Sequence, residues 1–169
     1  MDHFYPAHNT NGFNERNLTY QFAKAFENRK NSCAFMEVPF FNKKREVFSH
    51  HIDALVFDKR IALFIESKRL FSPDKVSEIK ADFERMNEAN LLPVLEKLCL
   101  RQNPNRIPYR LILAETWKEK VTDWWMGGDT TVTWDRSWIP KDRGVITVKE
   151  WEHSSAKLHW LYAFSPLAN

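Results

Sequence analysis

His50-His51-Ile52-Asp53-Ala54-Leu55-Val56-Phe57-Asp58-Lys59-Arg60-Ile61-Ala62-Leu63-Phe64-Ile65-Glu66-Ser67-Lys68-Arg69-Leu70 is the stretch whose reading decides the fold. Two apolar runs rich in β-branched residues, Ile52 to Phe57 and Ile61 to Ile65, flank a short polar break, the pattern of a hairpin buried on both faces. With Lys59-Arg60 as a two-residue loop, Asp58 pairs with Ile61, Phe57 faces Ala62, Leu55 faces Phe64, Asp53 faces Glu66 and His51 faces Lys68. The period of two puts the last four of these pairs, from Phe57–Ala62 to His51–Lys68, on one side of the hairpin, and a one-residue slip would separate the two acids. Like charges set directly opposite repel. A divalent cation held between Asp53 and Glu66 removes that repulsion, with the Lys68 ammonium nearby to offset negative charge or position a water. Lys59-Arg60 is poor chemistry for the favoured tight hairpin turn.

Around this hairpin the chain of 169 residues is the size of one domain, 1–169, with its helix-and-strand core at about 13–116 and a C-terminal elaboration at about 117–169. Hydrophobic residues make up 43% and aromatics 14%, with four glycines, which excludes a disordered or repetitive chain. A net charge of +3 permits a nucleic-acid partner, though a protein that coats nucleic acid is ordinarily more basic. Cys33 and Cys99 lack metal-ligand spacing and read as reduced thiols in the core. No signal-like segment or membrane-length apolar run is visible, so the expectation is a cytoplasmic protein without membrane contact.

In chain order, residues 1–12 show no periodicity, and a first helix is expected from about Asn14 to Asn28, with Leu18, Phe22, Ala25 and Phe26 as its apolar stripe. Glu15 lies three residues before Leu18 and seven before Phe22, on the core-facing side of the first turn. It is either a helix-start acid favoured by the macrodipole or a third carboxylate aimed at the hairpin. Cys33 to Phe40 reads as the first strand, with Phe35, Glu37 and Pro39 on one face and Met36, Val38 and Phe40 on the other. Lys43, Lys44 and Arg45 form a basic turn, solvated or in contact with phosphates.

After the hairpin, Ser72-Pro73-Asp74 marks a helix start, and Val76, Ile79, Phe83 and Met86 its buried face. Leu91 to Leu100 reads as a second helical piece. Tyr109 to Glu115 reads as a strand placed for a parallel crossover, and Trp117 to Met126 as a helix ended by Gly127-Gly128. The remainder is β-like, with candidate strands at Thr130–Trp134, Val145–Val148 and Leu158–Phe164. Its tryptophans serve core packing or base stacking, and Trp134 and Trp138 beside Arg136 are the stacking candidates. The fold class is therefore α/β, a mixed central sheet flanked by helices with a β-rich C-terminal extension.

This order, with Asp53, twelve residues, then Glu66-Ser67-Lys68, resembles the PD-(D/E)xK nuclease superfamily and its restriction-endonuclease-like αβββαβ core. The resemblance implies that Asp53 and Glu66 bind Mg²⁺, with Mn²⁺ as a substitute, and that the Ser67 main-chain carbonyl is a further ligand. It also implies that Lys68 orients or activates the attacking water, and that Glu15 matches the acid many members carry on the first helix. Ile52 stands where the motif name has proline, a position often not proline in the family. The implied activity is metal-dependent phosphodiester hydrolysis, with DNA the expected nucleic acid and Lys43, Lys44, Arg45, Arg69 and Arg136 candidate contacts. The family's dimers leave a homodimer or a protein partner open. The chemistry suits the residues, since a carboxylate-held cation stabilises charge on phosphoryl oxygens and acidifies a bound water. No phosphate-cradling glycine loop, zinc spacing or nucleophile elbow competes. Two readings stand against it: a non-catalytic nuclease-like module for nucleic-acid binding or assembly, and an enzyme acting on a small molecule with the same metal site.

Overall fold

Each element forms where its residue spacing dictates, and a computed structural model describes residues 15–42, 47–87, 91–95, 106–148 and 157–167. Helix α1 (Glu15–Glu27) buries Ala23 and Phe26 and packs Leu18 and Phe22 beside them. Strands β1 (Cys33–Asn42), β2 (Val47–Phe57) and β3 (Ile61–Arg69) form an antiparallel meander. Helix α2 (Pro73–Arg85) starts after Ser72 and hides Val76, Ile79 and Phe83, as their spacing predicts. Helical residues 91–95, here α3, are the described part of the piece expected at 91–100. Then follow β4 (Ile107–Thr116), α4 (Glu119–Met126), β5 (Asp142–Thr147) and β6 (His159–Pro166). Helix α4 stops at Gly127, whose φ of +86° suits a residue without a Cβ.

The protein is thus α/β, with a six-stranded mixed sheet in the order β1-β2-β3-β4-β6-β5. Only β3 and β4 pair parallel among the described strands, as the intervening helical segment requires. One sheet face packs on α1 through Ala54, Val56, Ile65, Leu111 and Leu113. The other packs on α2, α3 and α4 through Leu55, Phe64, Ile112, Ala114 and Leu161. Ala54, Leu55, Val56, Phe64 and Ile65 are all fully buried, so the central hairpin is covered on both sides as its unbroken apolar runs predict.

The hairpin register is the expected one: Leu55 pairs with Phe64 and Phe57 with Ala62. Asp58 supplies the turn chemistry that Lys59-Arg60 lack. Its N–H donates to the Ile61 carbonyl at 3.0 Å, and its Oδ1 accepts from the N–H of Arg60 at 2.7 Å and of Ile61 at 3.0 Å.

Three expectations fail. Thr130–Trp134 is irregular rather than a strand, and it is held by side chains, Thr130 Oγ1 donating to the Lys120 carbonyl and accepting from the Val132 N–H. Cys33 is exposed at the start of β1 rather than buried in the core, on an edge strand where Phe35 and Met36 are exposed as well. Strict alternation along β1 and β2 also breaks. Val38 and Ile52 belong by parity with Ala34 and Ala54 on the α1 face, yet they pack in the opposite cluster. The change falls between the pairs Met36–Ala54 and Val38–Ile52, where Glu37 adopts a φ of +52°. Cys99 lies outside the described residues.

Candidate functional site

At its Asp53 end the β2–β3 ladder opens. Its last pair is Ala54 with Ile65, whereas on the other edge of β3 the pairing with β4 continues to Arg69 and Glu115. Past Ile65 the Asp53 side chain takes over the bonding. Its Oδ2 accepts the Ser67 N–H at 2.7 Å and the Ser67 hydroxyl at 2.8 Å. Ser67 Oγ also lies 2.5 Å from Thr19 Oγ1 on α1, and both residues are buried. A hydrogen-bonded line thus runs from α1 through β3 to the Asp53 carboxylate.

Glu66 is 4% exposed, and its carboxyl is pushed up to about 8. Burial is the main cause, followed by the negative charge of Asp53, with Glu37 adding to the push and Lys68 and Arg85 opposing it. Glu66 therefore lies in the field of the Asp53 charge, although the paired ladder ends one residue short of them. Glu37, opposite Asp53 in the β1–β2 register and in the left-handed backbone region, is a third acid in this field. Its exposed carboxylate is 3.6 Å from Arg16.

Lys68 stands on β3 beside these acids, but its Nζ is 3.2 Å from Asp82 Oδ2 and 3.9 Å from Glu78 Oε2, both on α2. Asp82 is buried and also pairs with Arg85. The lysine is therefore shared between the Asp53–Glu66 pair and an acidic face of α2. Glu15 is the first residue of α1, four residues before Thr19 and so on the same helix face; its side chain lies outside the described residues.

The basic candidates divide. Lys43, Lys44 and Arg45 lie outside the described residues. Arg69 is bound to the buried Glu115, Nε to Oε1 at 2.9 Å. Arg136 is exposed, with Nη1 3.5 Å from the Gly128 carbonyl. Trp134 packs edge-on against Trp124 and Trp138 against Trp125, and both are partly buried against the α2–α4 side of the core, which supports the packing role over base stacking. The Trp138 Nε1–H donates to the Asp135 carbonyl, which further ties that ring to its own loop.

Among the described residues no three His, Cys, Asp or Glu side chains are grouped to hold a metal ion. A groove of about 1050 Å³ runs between α1 and strands β4 and β6; its lining is mostly apolar and includes none of Asp53, Glu66 and Lys68. No described helix is long and apolar enough to cross a membrane.

Sequence reasoning missed Thr19, Glu37 and Asp82, although each left a trace. Glu37 is a lone charge inside an apolar strand, Thr19 follows Glu15 by one helical turn, and Asp82 falls on the stripe Val76, Ile79, Phe83. No protein-family model matches the chain, and no curated protein or solved structure shows a significant match to it.

Proposed function

We propose that this chain is a metal-dependent nuclease of the PD-(D/E)xK type, with a restriction-endonuclease-like core, hydrolysing phosphodiester bonds of DNA. The observation that carries this reading is the buried Glu66 carboxyl, pushed to about 8 beside Asp53 where the ladder opens. A carboxyl buried beside a like charge is costly to a scaffold, and a cation makes both carboxylates favourable in their ionised form. The donor set fits a hard cation: Asp53, Glu66 and the Ser67 carbonyl would hold Mg²⁺ or Mn²⁺, with Glu15 one turn above Thr19 as a further ligand. When bound, Mg²⁺ supplies a water of lowered pKa and offsets charge on the phosphoryl oxygens.

The chain's own groups do the rest. Asp53 is held in one orientation by two donors from Ser67. Glu66 is shielded from water, which strengthens its hold on positive charge. Lys68 places an ammonium beside the reacting centre, and Asp82 fixes one side of it.

The second reading, a non-catalytic nucleic-acid-binding or assembly module, is favoured by that same contact. A lysine bound to Asp82 and Glu78 is partly diverted from a substrate. Incubating labelled single-stranded, duplex and branched DNA with the protein and millimolar Mg²⁺ or Mn²⁺, beside Lys68→Ala, separates the two. The nuclease reading expects metal-dependent cleavage that falls by about 10²-fold or more in the variant. Binding without cleavage of any substrate, in either metal, supports the module.

A further inference from the structure

The line of hydroxyls joining α1 to Asp53 has a direction. The Ser67 hydroxyl donates to Asp53 Oδ2 at 2.8 Å, which commits its single proton there. Ser67 Oγ is then the acceptor in its 2.5 Å contact with Thr19, whose hydroxyl donates. Thr19 is fully buried and Ser67 1% exposed, so water does not readily replace either donor. Ser67 adds its backbone N–H to the same oxygen at 2.7 Å. Two donors on Oδ2 resist rotation of the carboxylate and leave Oδ1 as the oxygen offered to a cation. Where the β2–β3 pairing has ended, the Asp53 side chain takes the Ser67 N–H and joins the two strands.

We propose that Thr19 and Ser67 are positioning residues that orient Asp53 for cation binding and tie the rotation of α1, and so the place of Glu15, to the metal site. This rests on the metal-dependent reading above, because its purpose is to present Asp53 to a cation. Residues behind metal ligands tune affinity in this way by fixing ligand geometry, typically by 10-fold or more.

The test uses the full chain as wild type, Thr19→Val, which keeps the shape and removes the hydroxyl, and Thr19→Ser, which restores it. In metal-free protein, amide hydrogen exchange at Ser67 is expected to be several-fold faster in Thr19→Val and near wild type in Thr19→Ser. With metal, the Mg²⁺ concentration giving half of the thermal shift is expected to rise about 10-fold in Thr19→Val and to return in Thr19→Ser. A lowered melting temperature with an unchanged Mg²⁺ midpoint and unchanged Ser67 exchange would reduce Thr19 to ordinary packing and overturn the proposal. A wild type without any metal response would end the nuclease reading and the cation role together. The exchange data would then decide separately whether Thr19 orients Asp53, since Ser67 exchange indifferent to Thr19→Val overturns that as well.

Discussion

The two edges of β3 end differently. Toward β4 the parallel ladder runs through nine pairs to Arg69 and Glu115, an in-register pair of opposite charge with Nε and Oε1 at 2.9 Å and Glu115 5% exposed. Toward β2 it stops after four pairs, and beyond them Glu66 meets the like charge of Asp53. One edge meets its charge with a direct ion pair, and at the other Lys68 and Arg85 offset the negative charge on Glu66 only in part. Buried charge that the protein satisfies is structural. Buried charge that it does not satisfy raises a pKa and marks a candidate site.

The largest expected effect follows from removing a charge at the open edge. Asp53→Asn keeps the shape but loses a ligand charge, so cleavage should fall by about 10²–10³-fold or more, and the rise in melting temperature with Mg²⁺ should mostly vanish. Cleavage assays and melts with and without metal check both. In the same cleavage assay Glu115→Gln should behave as wild type, and a silenced Glu115→Gln would erase the division between the two edges.

A second effect is on pH. The Glu66 carboxyl titrates near 4.5 in the unfolded chain and about 8 in the folded one, so the unfolded state ionises first as pH rises. Without metal, stability should therefore fall between about pH 4.5 and 8 by something on the order of a few kcal/mol, then level off. Glu66→Gln should flatten that slope, and Mg²⁺ should counter it in wild type by favouring the ionised native carboxylate. Denaturant melts from pH 4 to 9 read the slope, and a wild-type profile as flat as that of Glu66→Gln would remove the repulsion from the site.

At the satisfied edge, Glu115→Gln removes the charge that Arg69 Nε meets at 2.9 Å. Arg69 is 29% exposed, so the cost should lie between that of exposed and fully buried pairs, about 1–3 kcal/mol in urea unfolding. A neutral result would make this ion pair no more structural than a surface one.

The smallest effect belongs to Glu37. Its φ of +52° is costly for a residue with a Cβ, so Glu37→Gly should stabilise the metal-free protein by about 0.5–1 kcal/mol, the strain relief exceeding the added freedom of the unfolded chain. It also removes one of the negative charges that push Glu66 up. A destabilised Glu37→Gly would mean that the Arg16 contact or strand pairing outweighs the strain.

Much of the fold was legible because its signals are local. The stripe Val76, Ile79, Phe83 and Met86 is periodic enough to be a helix in almost any context, and all four are buried. Thr130–Trp134 was misread because alternating Thr, Val and Trp look β-like on their own, whereas here the segment turns Trp134 against Trp124 and places its backbone carbonyl on the Trp124 indole N–H. The reversal of faces at Glu37 was not legible, since a positive φ at a glutamate has no sequence signature. For the site, the adjacency of Asp53 and Glu66 followed from counting residues, while the second partners of Lys68 did not.

By itself the sequence determined the hairpin, because two unbroken apolar runs flank a polar break, and its register, because Asp58 closes the turn through neighbours two and three residues away. Only the tertiary structure decided where the ladder opens, that Ser67 bridges Asp53 to Thr19 48 residues earlier, and that Lys68 leans on Asp82. Those contacts join elements distant in the chain, and the elevated Glu66 carboxyl comes chiefly from burial, a property of the packed molecule that no local stretch of sequence carries.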